Sequence, residues 1–206
     1  MGGDFYDFHL LSGDRLGLVV GDATGKGVPA ALVMSTTCGM LQAVSKTLDT
    51  SSPSEVLEQV NETLFARIPS NMFVTCFYAI LDPKSASLSY ANAGHDLPYV
   101  YRGGEADELR ARGMPLGLMP GMGYEEKEIV LEEGEAALFY SDGLVEAHDP
   151  KGEMFGFPRL RALVAEHSDE EGSLGDFLLE ELYSFVGEGW KQEDDITLLT
   201  LRRSAT

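Results

Sequence analysis

A chain of 206 residues, 44% of them hydrophobic, is long enough to bury the core of one domain. Fifteen Lys and Arg against 34 Asp and Glu leave a net charge of −19, which repels phosphate backbones and argues against a nucleic-acid binder. The acids are spread among apolar periodic segments, so the chain is not a disordered acidic tail.

No apolar run approaches the ~18 residues of a membrane span, and no signal peptide opens the chain. Cys38 and Cys76 are the only cysteines and lie in apolar surroundings, as buried thiols of a cytosolic protein do.

In chain order, Asp4 to Leu11 and Leu16 to Val20 read as a hairpin turning at Ser12-Gly13-Asp14. Pro29 suits the first turn of a helix running over Ala30 to Lys46. Ser52-Pro53-Ser54-Glu55 supplies an N-cap, a first-turn proline and a capping-box glutamate for a second helix. Val56, Leu57, Val60, Leu64 and Ile68 give that helix one apolar face.

Strands are expected over Phe73 to Leu81, Leu88 to Ala93, Pro98 to Arg102, Glu125 to Val130 and Ala136 to Tyr140, separated by Gly and Pro turns. Helices follow at Arg159 to His167 and Leu174 to Val186, then a closing strand from Ile196 to Arg202. Two β blocks, each followed by a helix pair, predict an α+β domain rather than a doubly wound sheet. With no repeat and no Pro/Ser-rich linker, residues 1–206 read as a single domain. Its abrupt start inside a strand suggests a piece of a longer protein.

Several familiar chemistries fail on inspection. Gly2-Gly3-Asp4-Phe5 lacks the glutamate of a diguanylate cyclase signature. Gly21 to Gly27 has three residues between its first glycines and Gly27 after Lys26, where a P-loop needs four and a Ser or Thr. Neither cysteine has an arginine within the next eight residues, as a cysteine phosphatase needs. His9, His148 and His167 read as surface or loop residues.

The informative acids stand at strand ends, mostly beside glycine: Asp4, Asp22, Asp142 and the pair Asp194-Asp195. Singly, each reads as a turn carboxylate bonding its own backbone. If four such groups converge they repel one another, by ~4 kcal/mol per pair at about 4 Å and an effective dielectric near ~20. A cation must then sit between them. Oxygen-only ligands favour Mg²⁺ or Mn²⁺ over zinc.

Five ordered motifs, Gly2-Gly3-Asp4-Phe5-Tyr6-Asp7, Gly21-Asp22-Ala23-Thr24-Gly25-Lys26-Gly27-Val28-Pro29-Ala30-Ala31, Ala93-Gly94-His95, Ser141-Asp142-Gly143-Leu144 and Asp194-Asp195-Ile196-Thr197, carry a resemblance. Together they resemble the bacterial serine/threonine phosphatases typified by stage II sporulation protein E and the sigma-B regulators. These form a branch of the metal-dependent, protein phosphatase 2C-like (PPM) family, and the likeness runs from Gly2 to about Arg202.

The resemblance implies a four-layer αββα sandwich, two antiparallel sheets flanked by helix pairs, with two Mn²⁺ or Mg²⁺ ions in the active site. It implies that Asp22 bridges the ions, that the Ala23 carbonyl and Asp4 serve one of them, and that Asp142 and Asp194 complete the other. Asp195 is an accessory candidate. The implied reaction is hydrolysis of phosphoserine or phosphothreonine by direct attack of a metal-bound hydroxide. The implied substrate is a phosphorylated anti-sigma-factor antagonist, in the cytoplasm, under control of an upstream sensor or regulatory segment.

Two positions depart from the eukaryotic branch. Thr24 stands where those relatives carry a histidine proposed as the leaving-group acid, and their N-terminal phosphate-holding arginine has no match among the residues of this sequence before Gly2. His95 reads either as a substitute acid or as a structural histidine fixing a tight turn. Lys26 either touches phosphate or is a glycine-flanked surface lysine. A catalytically weak scaffold of the same fold is the competing function; its mark would be loss of the metal aspartates, and all four are present. Two divalent ions would offset about four charges, so an anionic phosphoprotein must be drawn by the local metal field rather than by the acidic surface.

Overall fold

Strand β1 (Asp4–Leu10) pairs antiparallel with β2 (Leu16–Ala23), and β2 with β3 (Val74–Asp82). The computed structural model describes residues 2–48, 52–167 and 173–204. β4 (Ser87–Ala93) and β7 (Glu126–Val130) extend this sheet in the order β1-β2-β3-β4-β7. Helices α1 (Val28–Leu48) and α2 (Pro53–Phe65) cover one of its faces. These elements lie in a first compact unit, residues 1–96 and 110–131.

The second unit takes residues 97–109 and 132–206. Its sheet, in the order β6-β5-β8-β9, is built from β5 (Tyr99–Arg102), β6 (Glu105–Glu108), β8 (Ala136–Tyr140) and β9 (Leu198–Arg202). Helices α3 (Phe157–Glu166) and α4 (Leu174–Val186) pack on it. Two antiparallel sheets and four α-helices among the described residues are the α+β class that the element order predicts.

Each unit has a core of its own. In the first, Val56, Leu57, Val60 and Leu64 of α2 and Leu41 of α1 meet Val19, Cys76, Tyr78 and Ile80. The Ser52 cap forms as expected: its Oγ accepts the Glu55 amide at 3.3 Å, and it also donates to Glu126 Oε2 at 2.5 Å, tying α2 to β7. In the second, Leu160, Val164, Leu178 and Leu182 pack with Leu138 and Tyr140, whose ring stacks on Tyr99 at 5.9 Å.

Four expectations need correction. β6 is absent from the sequence reading because Glu105-Ala106-Asp107-Glu108 looks like a solvated acidic loop. Gly103 and Gly104, both at positive φ, turn the chain within two residues, and only Ala106 of the four is buried. Helix α1 starts earlier and runs 21 residues, long and apolar enough by composition to cross a membrane. Its Ser, Thr and Gly residues hide this from a count of uninterrupted apolar residues, and its buried stripe (Ala30, Val33, Thr37, Leu41, Ser45) packs in the first core.

The third correction is His9, which is buried rather than at the surface. Strand β1 presents Phe5, Asp7 and His9 to the helices and leaves Tyr6 (58%), Phe8 (57%) and Leu10 (72%) exposed, the reverse of what apolarity alone suggests. Gly17, opposite His9 in the ladder, makes room for the imidazole: a methyl there would lie 2.6 Å from Nε2. His167, the fourth, is also buried, with its ring beside Phe177 at 5.2 Å.

His9 gives a pH dependence. Its Nε2 meets Ser45 Oγ at 2.8 Å and Tyr78 Oη at 3.3 Å, while Nδ1 lies 3.7 Å from Asp7 Oδ2. Burial lowers its pKa from 6.5, with Lys46 acting in the same direction and Asp7 opposing both. A base with a depressed folded pKa takes up its proton more readily when unfolded, so its contribution to stability is present above 6.5 and lost as pH falls below. The thermal midpoint should therefore fall as pH drops through 6.5, and less steeply in a His9→Gln variant. Equal slopes for the two proteins would contradict this account of His9.

Candidate functional site

In the first unit the ladder places Asp4 directly opposite Asp22, and Asp22 opposite Thr75. Cross-strand neighbours of this kind have Cβ atoms about 5 Å apart, where two carboxylates repel by roughly 3 kcal/mol at an effective dielectric of about 20. Gly3 allows the approach. A methyl there would overlap the Ala23 carbonyl oxygen and lie 2.5 Å from Asp22 Oδ1, and the Ala23 amide donates to the Gly3 carbonyl at 3.1 Å. Asp4, Asp22 and the Ala23 carbonyl thus gather at one sheet end.

The backbone around Asp22 is fastened by two threonines. The Thr75 hydroxyl lies 3.5 Å from the Asp22 carbonyl and 3.1 Å from His95 Nδ1. Thr24 bonds Phe73, just before β3, through both its amide and its hydroxyl. The Gly25-Lys26-Gly27 loop then leads into α1, with Lys26 exposed and no acid in the helix's first turn to oppose an anion.

His95 sits where a structural histidine would. Its amide donates to Asn92 Oδ1 at 2.7 Å and its carbonyl accepts from Asn92 Nδ2 at 2.9 Å, closing a tight turn around Gly94 at positive φ. The ring is buried.

In the second unit Asp142 opens a single 3₁₀ turn, Asp142–Leu144, directly after β8 and Ser141. Ser141 joins this turn to the Asp194-Asp195 segment. Its amide donates to the Thr197 carbonyl at 3.0 Å, and its Oγ accepts from the Thr197 amide at 3.0 Å and approaches the Asp195 carbonyl at 3.5 Å. A methyl on Gly143 would overlap that same carbonyl oxygen. Asp194 Oδ1 accepts the Asp195 amide at 3.0 Å, and Gln192 donates to the Asp194 carbonyl at 2.8 Å. The Asp142 turn and the Asp194-Asp195 segment are therefore neighbours at one end of their sheet.

Both clusters offer oxygen donors, the set that suits a hard divalent cation. Among the described residues no three His, Cys, Asp or Glu side chains come close enough to hold an ion by themselves. In the first unit Asp4 and Asp22 pair across the ladder beside the Ala23 carbonyl, and in the second the Asp142 turn neighbours the Asp194-Asp195 segment. No thiol competes as nucleophile. Burial and then Asp7 push Cys38 up to about 11, and burial pushes Cys76 further, so both are protonated at neutral pH.

The sequence singles out the aspartates but gives no role to Ser141 and Thr75, which bond backbone beside Asp195 and at Asp22, or to Asn92, which holds the backbone of His95. Their signal was adjacency: Ser141 precedes Asp142, and Asn92 lies inside the Ala93-Gly94-His95 neighbourhood.

The family model described as stage II sporulation protein E (SpoIIE) matches residues 12–204. The chain is 30% identical over 209 residues to the phosphoserine phosphatase RsbU of Bacillus subtilis (strain 168), covering 98% of this chain and 60% of that protein. The crystal structure of the RsbU and RsbW domains of Rv1364c from Mycobacterium tuberculosis matches at a TM-score of 0.79 and 31% identity, over 100% of this chain and 58% of that one. The SiaA-PP2C domain of Pseudomonas aeruginosa matches at 0.83 and 25%, over 98% and 80%.

Proposed function

The chain belongs to the stage II sporulation protein E family, and from that premise we propose that it is a metal-dependent protein serine/threonine phosphatase. Its substrate is a phosphorylated partner protein of the anti-sigma-factor-antagonist kind, met in the cytoplasm, and a regulatory segment of a longer protein sets its activity. The observation that carries this reading is the pairing of Asp4 with Asp22 across β1 and β2, beside the Ala23 carbonyl and with Gly3 clearing the space. Two carboxylates held face to face are oxygen donors suited to a divalent cation.

Mn²⁺ or Mg²⁺, two ions as the family likeness implies, would be held by Asp4, Asp22 and the Ala23 carbonyl for one ion and by Asp142 and Asp194 for the other. When bound, such ions lower the pKa of a water that attacks phosphorus and neutralise charge gathering on the phosphoryl oxygens. The protein's own part is to hold five oxygen donors still. Gly3 and Thr75 set the backbone of Asp22 and Ala23, and Ser141 ties the Asp142 turn to Asp194. The open first turn of α1 adds the positive end of a 21-residue helix beside the Gly25–Gly27 loop, favourable to a dianionic phosphate.

Phosphate release from a phosphoserine protein and from p-nitrophenyl phosphate tests this. Hydrolysis should require Mn²⁺ or Mg²⁺, stop on chelation and return when the ion is restored. Hydrolysis indifferent to a chelator would overturn the metal assignment. No hydrolysis with either ion would favour a partner-binding scaffold of the same fold.

A further inference from the structure

We infer that Thr24 is a positioning residue whose hydroxyl fastens the Asp22-Ala23 strand end to Phe73, rather than a proton donor to the leaving group. The inference rests on the reading that Asp22 and the Ala23 carbonyl hold a divalent ion.

The β2–β3 ladder ends at the pair Ala23 and Val74. One residue further, Thr24 continues it with its side chain. The Thr24 amide donates to the Phe73 carbonyl at 3.0 Å, its Oγ1 donates to the same carbonyl at 3.0 Å, and the Phe73 amide donates back to Oγ1 at 2.9 Å. The hydroxyl thus replaces the backbone carbonyl that an ordinary ladder pair would use as acceptor. Immediately afterwards Gly25, at a φ of 93°, turns the chain away, so no further rung follows.

A hydroxyl has one proton to donate. That of Thr24 is committed to Phe73, and the oxygen is engaged by the Phe73 amide, so nothing is left to protonate a departing alkoxide. The anchorage point is itself fixed: Val74 exchanges two backbone bonds with Leu116, at 2.9 and 2.8 Å. Thr24 therefore ties the carbonyl-bearing strand end to a strand held on both of its edges. Rotation of the Ala23 peptide, which would swing its carbonyl away from an ion, is resisted by Thr24 on one side and by the Ala23 amide's bond to Gly3 on the other.

The test uses Thr24→Val, which keeps the shape and loses the hydroxyl, and Thr24→Ser, which keeps the hydroxyl. Mn²⁺ affinity by calorimetry, kcat and KM across pH, and hydrogen exchange at the Phe73 amide are measured in each. Thr24→Val should bind Mn²⁺ about 10–100-fold more weakly, the range for residues that orient metal ligands. At saturating Mn²⁺ its pH profile should keep the parental shape, and Thr24→Ser should restore the affinity.

Unchanged Mn²⁺ affinity in Thr24→Val would overturn the inference, as would loss of one limb of the pH profile, the mark of a removed acid. Should Thr24→Val not fold, the Phe73 amide of the parent decides: slow exchange supports its donation to Thr24 Oγ1, and free exchange rules it out. Failure of the metal reading looks different, because the parent itself would then take up no Mn²⁺, and the inference would fall with it.

Discussion

Replacing Asp22 by Asn is expected to lower kcat/KM for phosphate release by about 10³-fold or more, a loss of at least ~4 kcal/mol of transition-state stabilisation. The substitution preserves shape and one oxygen. It removes a negative charge and turns half of the polar head into an N–H donor that faces a cation with the wrong polarity. As a proposed metal ligand, Asp22 has no deputy: Asp4 lies across the ladder on a different strand, and Ala23 offers a single carbonyl.

The same change should not weaken the metal-free fold. Without ions, Asp4 and Asp22 repel across β1 and β2, so metal-free Asp22→Asn should melt no lower than the metal-free parent. Activity and apo-stability then move in opposite directions, which separates a ligand from a merely structural aspartate. Parental activity in Asp22→Asn, measured with p-nitrophenyl phosphate and Mn²⁺, would contradict the assignment.

The second large effect is expected at Gly3. In Gly3→Ala the new methyl overlaps the Ala23 carbonyl oxygen and lies 2.5 Å from Asp22 Oδ1 and 2.9 Å from the Ala23 carbonyl carbon. Two of those three atoms are backbone and cannot swing aside. Either β1 lifts from β2, carrying Asp4 away, or the Ala23 peptide tilts. Both outcomes disturb the proposed metal donors, so kcat/KM should fall about 10–100-fold, while overpacking costs only ~1–3 kcal/mol of stability. Gly39→Ala is the control. It sits in α1, exposed, with nothing within 4 Å of a new methyl, and should gain up to ~1 kcal/mol in helix propensity with activity unchanged. Equal activity in Gly3→Ala and Gly39→Ala would remove Gly3 from the site.

Much of this arrangement is legible in the order of residues alone. Asp22 ends an apolar run and Asp142 closely follows one, and strands β2 and β8 deliver both to sheet ends. Ser52 caps α2 as its sequence promises, and Ala136–Tyr140 and Leu174–Val186 have the bounds that periodicity predicts.

What escapes the sequence is whatever depends on a distant partner. The buried face of β1 holds Asp7 and His9 because α1 supplies Gln42 and Ser45 to receive them, and no local pattern reveals that. Strand β6 is acidic because one edge of a four-stranded sheet needs only Ala106 buried. The hydroxyls of Thr24 and Ser141 look like ordinary loop residues until Phe73 and Thr197 are seen against them. Residues 97–109 join the C-terminal unit although they lie midway along the chain, a partition set by strand pairing rather than composition.

The central proposal is that Asp22 is a ligand for a divalent ion. Calorimetric titration of the metal-free protein with Mn²⁺, beside Asp22→Asn and Asp142→Asn, tests it most directly. The parent should take up two ions per chain, and each variant should bind fewer ions or bind them about 10-fold or more weakly. Uptake of the same number of ions with parental affinity by Asp22→Asn would contradict it.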